Sequence, residues 1–183
     1  MKKAIILLAD GFEEVEALGP RDVLRRGGVE VKLISIGEEY FVESSHGVTV
    51  VADLLLTEGV GDFDLLMLPG GMPGSKSLRD SEAVIELVKK AGAEGKVVSA
   101  ICAAPIALAK AGVLNGRRAT CFPGFEAEIS AGGATHTGER VTVDGKVITG
   151  IGAGAALEFG VALLSSLEGE ATAQKVRQQM IML

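Results

Sequence analysis

The stretch Lys96-Val97-Val98-Ser99-Ala100-Ile101-Cys102-Ala103-Ala104-Pro105 reads as a buried strand that runs straight into a helix, with a thiol at the junction. It is apolar at nearly every position rather than at alternate ones. That pattern suits a strand covered on both faces, as in a parallel sheet. Pro105 fits the first helical position, where its missing N–H costs nothing. Strand-type runs of the same kind recur at residues 4–8, 29–36, 65–68 and 147–149. Helix-length segments at residues 14–26, 81–93, 105–111 and 155–167 separate or follow most of them, and a short last helix starts at Ala171. This alternation predicts an α/β sandwich. Gly27-Gly28, Gly112 and Gly169 mark helix ends, and Gly19-Pro20 predicts a break or kink in the first helix. Two segments depart from the alternation and predict β-hairpins. One covers residues 40–52, centred on Ser44-Ser45-His46-Gly47; the other covers residues 141–148, with Asp144-Gly145 as its turn signature. No linker, repeat or low-complexity tract interrupts the chain, so residues 1–183 are expected to form one domain.

Composition narrows the function. The net charge of −6 gives nucleic acid no electrostatic footing, and the absence of Trp with only 4% aromatic residues removes a base-stacking platform. No apolar run approaches the roughly 20 residues a membrane-crossing helix needs. The run after Met1-Lys2-Lys3 stops at Asp10 and lacks a cleavage signature, so it reads as a first buried strand rather than a signal peptide. Two cysteines, Cys102 and Cys121, are too few for a disulfide scaffold and suit a reducing, cytoplasmic setting.

In an open parallel sheet, ligands bind beyond the carboxyl ends of the strands where strand order reverses. Three loops should meet there: Asp10-Gly11-Phe12-Glu13-Glu14-Val15-Glu16, Pro69-Gly70-Gly71-Met72-Pro73-Gly74, and the turn at Cys102. A cysteine in an apolar run is ordinarily core filler, which is the reading for Cys121. At a strand-to-helix elbow, however, the helix amides favour the thiolate, and the expected thiol pKa falls below its usual value of about 8.5. Gly70-Gly71 would let backbone N–H groups approach a ligand and form an oxyanion hole; the competing reading is a tight turn. Glu13, Glu14 and Glu16 suit the positive end of a helix whatever their function. One of them turned inward would have a raised pKa and hold a proton, and spacing does not select which. The two histidines, His46 and His136, adjoin no nucleophile and read as loop residues, with His46 a candidate for the pocket lining. The Gly150-Ile151-Gly152-Ala153-Gly154 run fails the dinucleotide-loop spacing and reads as close packing at a helix start. No cysteine, histidine or carboxylate cluster stands at metal-ligand spacing, so neither metal nor organic cofactor is expected.

Four segments together resemble the DJ-1/ThiJ/PfpI superfamily, and most closely its DJ-1 branch with the bacterial ThiJ-like proteins. They are Ala9-Asp10-Gly11-Phe12-Glu13-Glu14-Val15-Glu16, residues 22–28, Leu68-Pro69-Gly70-Gly71 and Ala100-Ile101-Cys102-Ala103-Ala104-Pro105. The resemblance implies a flavodoxin-like three-layer α/β/α sandwich with a mostly parallel central sheet, and a homodimer. It implies a reactive Cys102, a protonated Glu16, and oxyanion donors at Gly70, Gly71, Cys102 and Ala103. The implied activity is a glutathione-independent glyoxalase or deglycase acting on methylglyoxal, glyoxal or their adducts on proteins and nucleotides. The alternative is a redox-regulated chaperone or oxidative-stress sensor that oxidises Cys102 without turnover. Three departures are visible. Ala103 stands where the protease-like branch has a histidine, Phe122 replaces a histidine before Pro123, and His46 replaces a pocket arginine.

Overall fold

The computed structural model describes residues 1–182. In chain order the strands are β1 (Lys3–Leu8), β2 (Glu30–Ser35), β3 (Phe41–Glu43), β4 (Thr49–Val51), β5 (Leu54–Leu55), β6 (Leu65–Leu68), β7 (Val97–Ile101), β8 (Arg118–Ala119), β9 (Thr135–His136), β10 (Val141–Asp144) and β11 (Val147–Gly150). The helices are α1 (Glu14–Arg26), α2 (Gly74–Asp80), α3 (Glu82–Ala93), α4 (Pro105–Lys110), α5 (Glu126–Ala131), α6 (Ala156–Glu168) and α7 (Glu170–Gln179). Seven strands form the main sheet in the order β10-β11-β7-β6-β1-β2-β5, parallel throughout except for β10 against β11. The result is the expected flavodoxin-like sandwich.

The side-chain period of a strand explains the two layers of helices. Along β1, Ile5 and Leu7 enter one apolar cluster, while Ala4, Ile6 and Leu8 enter the other. The first cluster is completed by Leu78 of α2, Val84 and Val88 of α3, Ile106 and Leu108 of α4, and Ile129 of α5. The second takes Ala17, Val23 and Leu24 of α1, Phe159, Leu163 and Leu164 of α6, and Val176 of α7. A strand wetted on neither side has no polar alternation, which is why these runs are legible. Ser99, the polar exception in β7, donates its hydroxyl to the Leu66 carbonyl at 2.9 Å and so satisfies itself inside the sheet.

Several local expectations are corrected. The first helix is not broken at Gly19-Pro20: α1 runs through both residues. Pro20 removes one helical hydrogen bond, and its backbone lies close against Gly160 of α6, whose packing supports the continuous helix. The second hairpin turns at Gly145-Lys146 rather than Asp144-Gly145, because Asp144 still pairs with Val147 and Gly145 takes the left-handed φ of 61°. Helices α2 and α5 and strands β5, β8 and β9 were not expected. They have only two to seven residues, too few for a periodic pattern. Among the described residues, no helix is long and apolar enough to cross a membrane.

Helices α1 and α6 approach each other closely at Gly160. A Cβ on Gly160 would stand 2.9 Å from Pro20 Cα and 3.1 Å from Val23 Cβ. Gly160→Ala is therefore expected to destabilise the fold by about 1–3 kcal/mol in urea unfolding, despite the better helix propensity of alanine. Gly154→Ala, whose Cβ meets nothing within 4 Å, serves as the control and should change stability by less than about 1 kcal/mol.

Candidate active site at the β7 elbow

The three expected loops do converge, at glycine distances. A Cβ on Gly11 would stand 2.6 Å from Pro73 N, one on Gly71 2.5 Å from Glu13 N, and one on Gly70 2.5 Å from Cys102 Cβ and 3.1 Å from its sulfur. The first two contacts join the loop after β1 to the loop after β6, the third joins the loop after β6 to the Cys102 turn, and each leaves no room for a side chain. The meeting point lies past the carboxyl ends of β1, β6 and β7. There the chain leaves β1 for β2 on one side, while β6 and β7 build outward on the other.

Cys102 adopts φ 64°, in the left-handed region that a residue with a Cβ enters at a cost of roughly 1–2 kcal/mol. Tertiary bonds hold it there. Its N–H donates to the Gly150 carbonyl at 2.9 Å, and its own carbonyl accepts from Phe122 N–H at 2.8 Å. The half-buried sulfur faces the amides of Ala103 and Gly71. This is the elbow expected from the sequence, with two N–H groups aimed at the reactive atom.

Glu16 is the inward carboxylate. It is 1% exposed, although it lies in the first turn of α1. Glu13 and Glu14 remain partly exposed. Glu13 caps the helix by accepting Glu16 N–H at 2.7 Å, which leaves the Glu16 side chain free to turn inward. Its Oε2 accepts Gly70 N–H at 2.9 Å, the Ala153 amide also faces it, and its carboxyl is hydrogen-bonded to Cys102. Glycine 70 is therefore demanded twice, since a Cβ there would also collide with Glu16 Oε2.

The electrostatics revise the expected thiolate. Burial pushes the Cys102 thiol up to about 12, and the negative charge of Glu16 adds to the rise. The Ala103 and Gly71 amides pull the other way and lose. The helix that was to stabilise the anion, α4, has only six residues. Burial likewise pushes the Glu16 carboxyl up to about 7, and the nearby charge of Glu13 raises it further against its bonds to Cys102, Gly70 and Ala153. The two groups thus compete for protons in one dry site, and near neutrality the sulfur is the group that keeps its proton. Cys121, 1% exposed and pushed up by burial to about 11, is core filler as expected.

Gly70 is also revised. Its amide is committed to Glu16, so the free donors beside the sulfur are Gly71 and Ala103. Phe122 lies at the rim, 47% exposed, with its ring 3.3 Å from the position a Cβ on Gly152 would take and Glu16 Oε1 4.0 Å from the same point. His46 is not brought to the sulfur. It lies at the exposed tip of the β3–β4 hairpin, beside Glu13 and Glu14. His136 is exposed in β9. Sequence reasoning missed Gly150 and Ala153 as backbone partners of Cys102 and Glu16; the glycine run at 150–154 was the available signal. A cavity of about 300 Å³ opens at the ends of β1 and β2, lined by Asp10, Ser35, Phe41 and Ser77 among others, and Cys102 is not in its wall.

Comparison with known proteins gives the family of the chain. Residues 2–166 match the model of the DJ-1/PfpI family. The chain is 40% identical over 183 residues to DJ-1 homolog B of Arabidopsis thaliana, aligning over 99% of its own length but only 42% of that relative's. It thus spans less than half of that plant protein. It is 38% identical over 148 residues to a protein of Pyrococcus abyssi named a deglycase, covering 80% of this chain and 88% of that one. The structure of oxidized Toxoplasma gondii DJ-1 superposes with a TM-score of 0.93 at 35% identity, covering 99% of this chain and 98% of that one. The strained cysteine elbow, the buried glutamate beside it and the glycine pair facing both are thus carried by a chain that belongs to the DJ-1/PfpI family.

Proposed function

We propose that the chain is a cysteine-dependent glyoxalase or deglycase, acting on methylglyoxal, glyoxal or the adducts they leave on proteins and nucleotides. The observation that carries this reading is the contact between the Cys102 sulfur and a buried carboxyl that titrates near 7, with two unspent amides beside the sulfur. The deglycase name of the Pyrococcus abyssi relative supports it. Homodimer assembly, implied by the family, belongs to the same proposal.

The corrected protonation states define the steps. The Glu16 carboxylate takes the proton of the Cys102 thiol as the sulfur attacks the aldehyde carbon of methylglyoxal, so no standing thiolate is needed. The Gly71 and Ala103 amides hold the oxyanion, which Glu16 then protonates to give a hemithioacetal. Glu16, again a carboxylate, removes the proton from that carbon and returns it to the neighbouring one, while the hemithioacetal hydroxyl proton passes to the neighbouring carbonyl oxygen. The product is a lactoyl thioester. Water cleaves it, releasing lactate and restoring the thiol. On an amine adduct the C–N bond breaks as the C–S bond forms, and the amine leaves with the Glu16 proton. These steps exchange protons and water only.

The alternative reading, redox sensing or chaperone behaviour without turnover, draws on the same two amides. They would hold the oxygens of a sulfinate made from Cys102 by peroxide, with the protonated Glu16 donating to it.

Lactate formation from methylglyoxal separates the two readings. Cys102→Ser should abolish it, Glu16→Gln should lower it by about 10²–10⁴-fold, and Cys121→Ser should leave it intact. Absence of turnover in the unmodified protein, with peroxide-dependent protection of a client protein, would favour the sensor. With Glu16 as the base, kcat/KM should rise as pH increases through about 7, and Glu16→Gln should erase that limb. A rate that instead falls above pH 7 would overturn the base role.

Stability gives an independent check of the buried acid. The folded chain keeps on Glu16 a proton that the unfolded chain releases from about 4.5, so folding stability is highest below that pH and declines until about 7. Urea unfolding in the presence of a chelator should show this decline in the parent protein. In Glu16→Gln it should be smaller, by roughly 3 kcal/mol between pH 4 and pH 8.

A further inference from the structure

The β3–β4 hairpin carries a group that neither reading uses, the His46 imidazole. Its Nδ1 lies 3.1 Å from Glu14 Oε1 and 3.9 Å from Glu13 Oε1, and one donor atom from each of the three residues falls within 4.8 Å of the others. Ser45 Oγ stands 3.3 Å from the same nitrogen. The glutamate side chains are only 14% and 19% exposed. Among the described residues, neither has an ion-pair partner other than this histidine. Two largely covered carboxylates thus share one imidazole and lack a permanent countercharge, an arrangement that favours a cation.

The donors are also held in place before any ion arrives. Gly11 N–H donates to the Glu43 carbonyl at 2.8 Å and Ser45 N–H to the Phe12 carbonyl at 2.7 Å, which fastens the hairpin to the loop that opens α1. Val48 N–H donates to Ser44 Oγ at 3.0 Å and closes the turn that presents His46. Glu13 Oε2 is occupied by Glu16 N–H, so its other oxygen is the one turned toward the imidazole. That cap already meets the positive end of the helix, which would otherwise oppose a cation.

We propose that Glu13, Glu14 and His46 form a site for one borderline divalent cation, Zn²⁺ or the similar Co²⁺ and Ni²⁺. A tetrahedral ion with bonds of about 2.0–2.1 Å needs donor separations near 3.4 Å. The observed separations from the nitrogen bracket that value. One nitrogen with two carboxylate oxygens suits these ions better than Mg²⁺ or Ca²⁺, which take oxygen shells. The exposed histidine leaves the remaining position open to water. The ion would clamp the hairpin to α1. None of the three takes part in the catalytic steps, although Glu13 acts on Glu16 through its charge, so the site is tested by metal binding and not by turnover.

Titration calorimetry with ZnCl₂ on a Cys102→Ser/Cys121→Ser chain tests this without thiol ligands. One saturable site per chain is expected. His46→Ala and Glu14→Gln should each weaken it by at least about tenfold, while the metal-free melting temperature of His46→Ala stays unchanged because the ring is exposed. Zinc loading should also slow amide exchange across residues 43–49. Absence of saturable binding in the thiol-free chain would overturn the site, as would binding by His46→Ala as tight as in its parent.

Discussion

The hydrogen bond from Gly70 N–H to Glu16 Oε2 is the constraint on which the site depends. It ties the first turn of α1 to the loop after β6, and it does so beside the Cys102 sulfur. Everything near it follows from the space it needs. Gly70 has no side chain because one would overlap both Glu16 and Cys102, and Gly71 has none because one would overlap the loop before α1. Glu13 takes over the capping of α1, so Glu16 is not needed at the helix surface. The strain of Cys102 is offset by two backbone bonds reaching in from Gly150 and Phe122.

That single bond also alters the chemistry that glycine pairs suggest. Two adjacent glycines after a buried strand look like two free donors. Here one donates to a carboxyl and only the second faces the sulfur. The carboxyl so held loses water but gains two amides and a thiol. Its final pKa near 7 reflects desolvation prevailing over those hydrogen bonds. A site with a free Gly70 amide would have had a stronger oxyanion hole and a less firmly placed acid.

The sandwich was legible because its strands are covered on both faces, leaving runs such as Ile5-Ile6-Leu7-Leu8 with no polar interruption. The elbow was legible because Cys102 and Pro105 stand at a fixed spacing from the end of β7. What escaped sequence reading depends on partners distant in the chain. Helix α2 begins directly after a glycine-rich loop and has seven residues, so neither a cap nor a period announces it. Pro20 stays within a helix because Gly160, 140 residues away, lets α6 press against it. The direction of the Cys102 shift was misjudged for the same reason: a helix end is visible in sequence, whereas the desolvation that outweighs it comes from walls that only the fold supplies. Glu13, Glu14 and His46 form no motif, since a hairpin brings together groups 32 residues apart.

A thiol whose proton is held tightly is a poor standing nucleophile, and this has a consequence for selectivity. Among the described residues, no imidazole faces the sulfur, and the base in contact with the Cys102 thiol is Glu16. Charge separation between them therefore requires an acceptor for the negative charge, and the Gly71 and Ala103 amides alone do not stabilise the thiolate enough to outweigh burial. In the proposed reaction a carbonyl that enters the site supplies that acceptor, because attack moves the charge from sulfur to an oxygen held by both amides. Under that mechanism, reactivity is coupled to the electrophile rather than to the resting ionisation of the cysteine. On the proposed mechanism, small, strongly electrophilic carbonyls meet this condition better than amide carbonyls, whose resonance makes the carbon a weaker acceptor of the sulfur's charge.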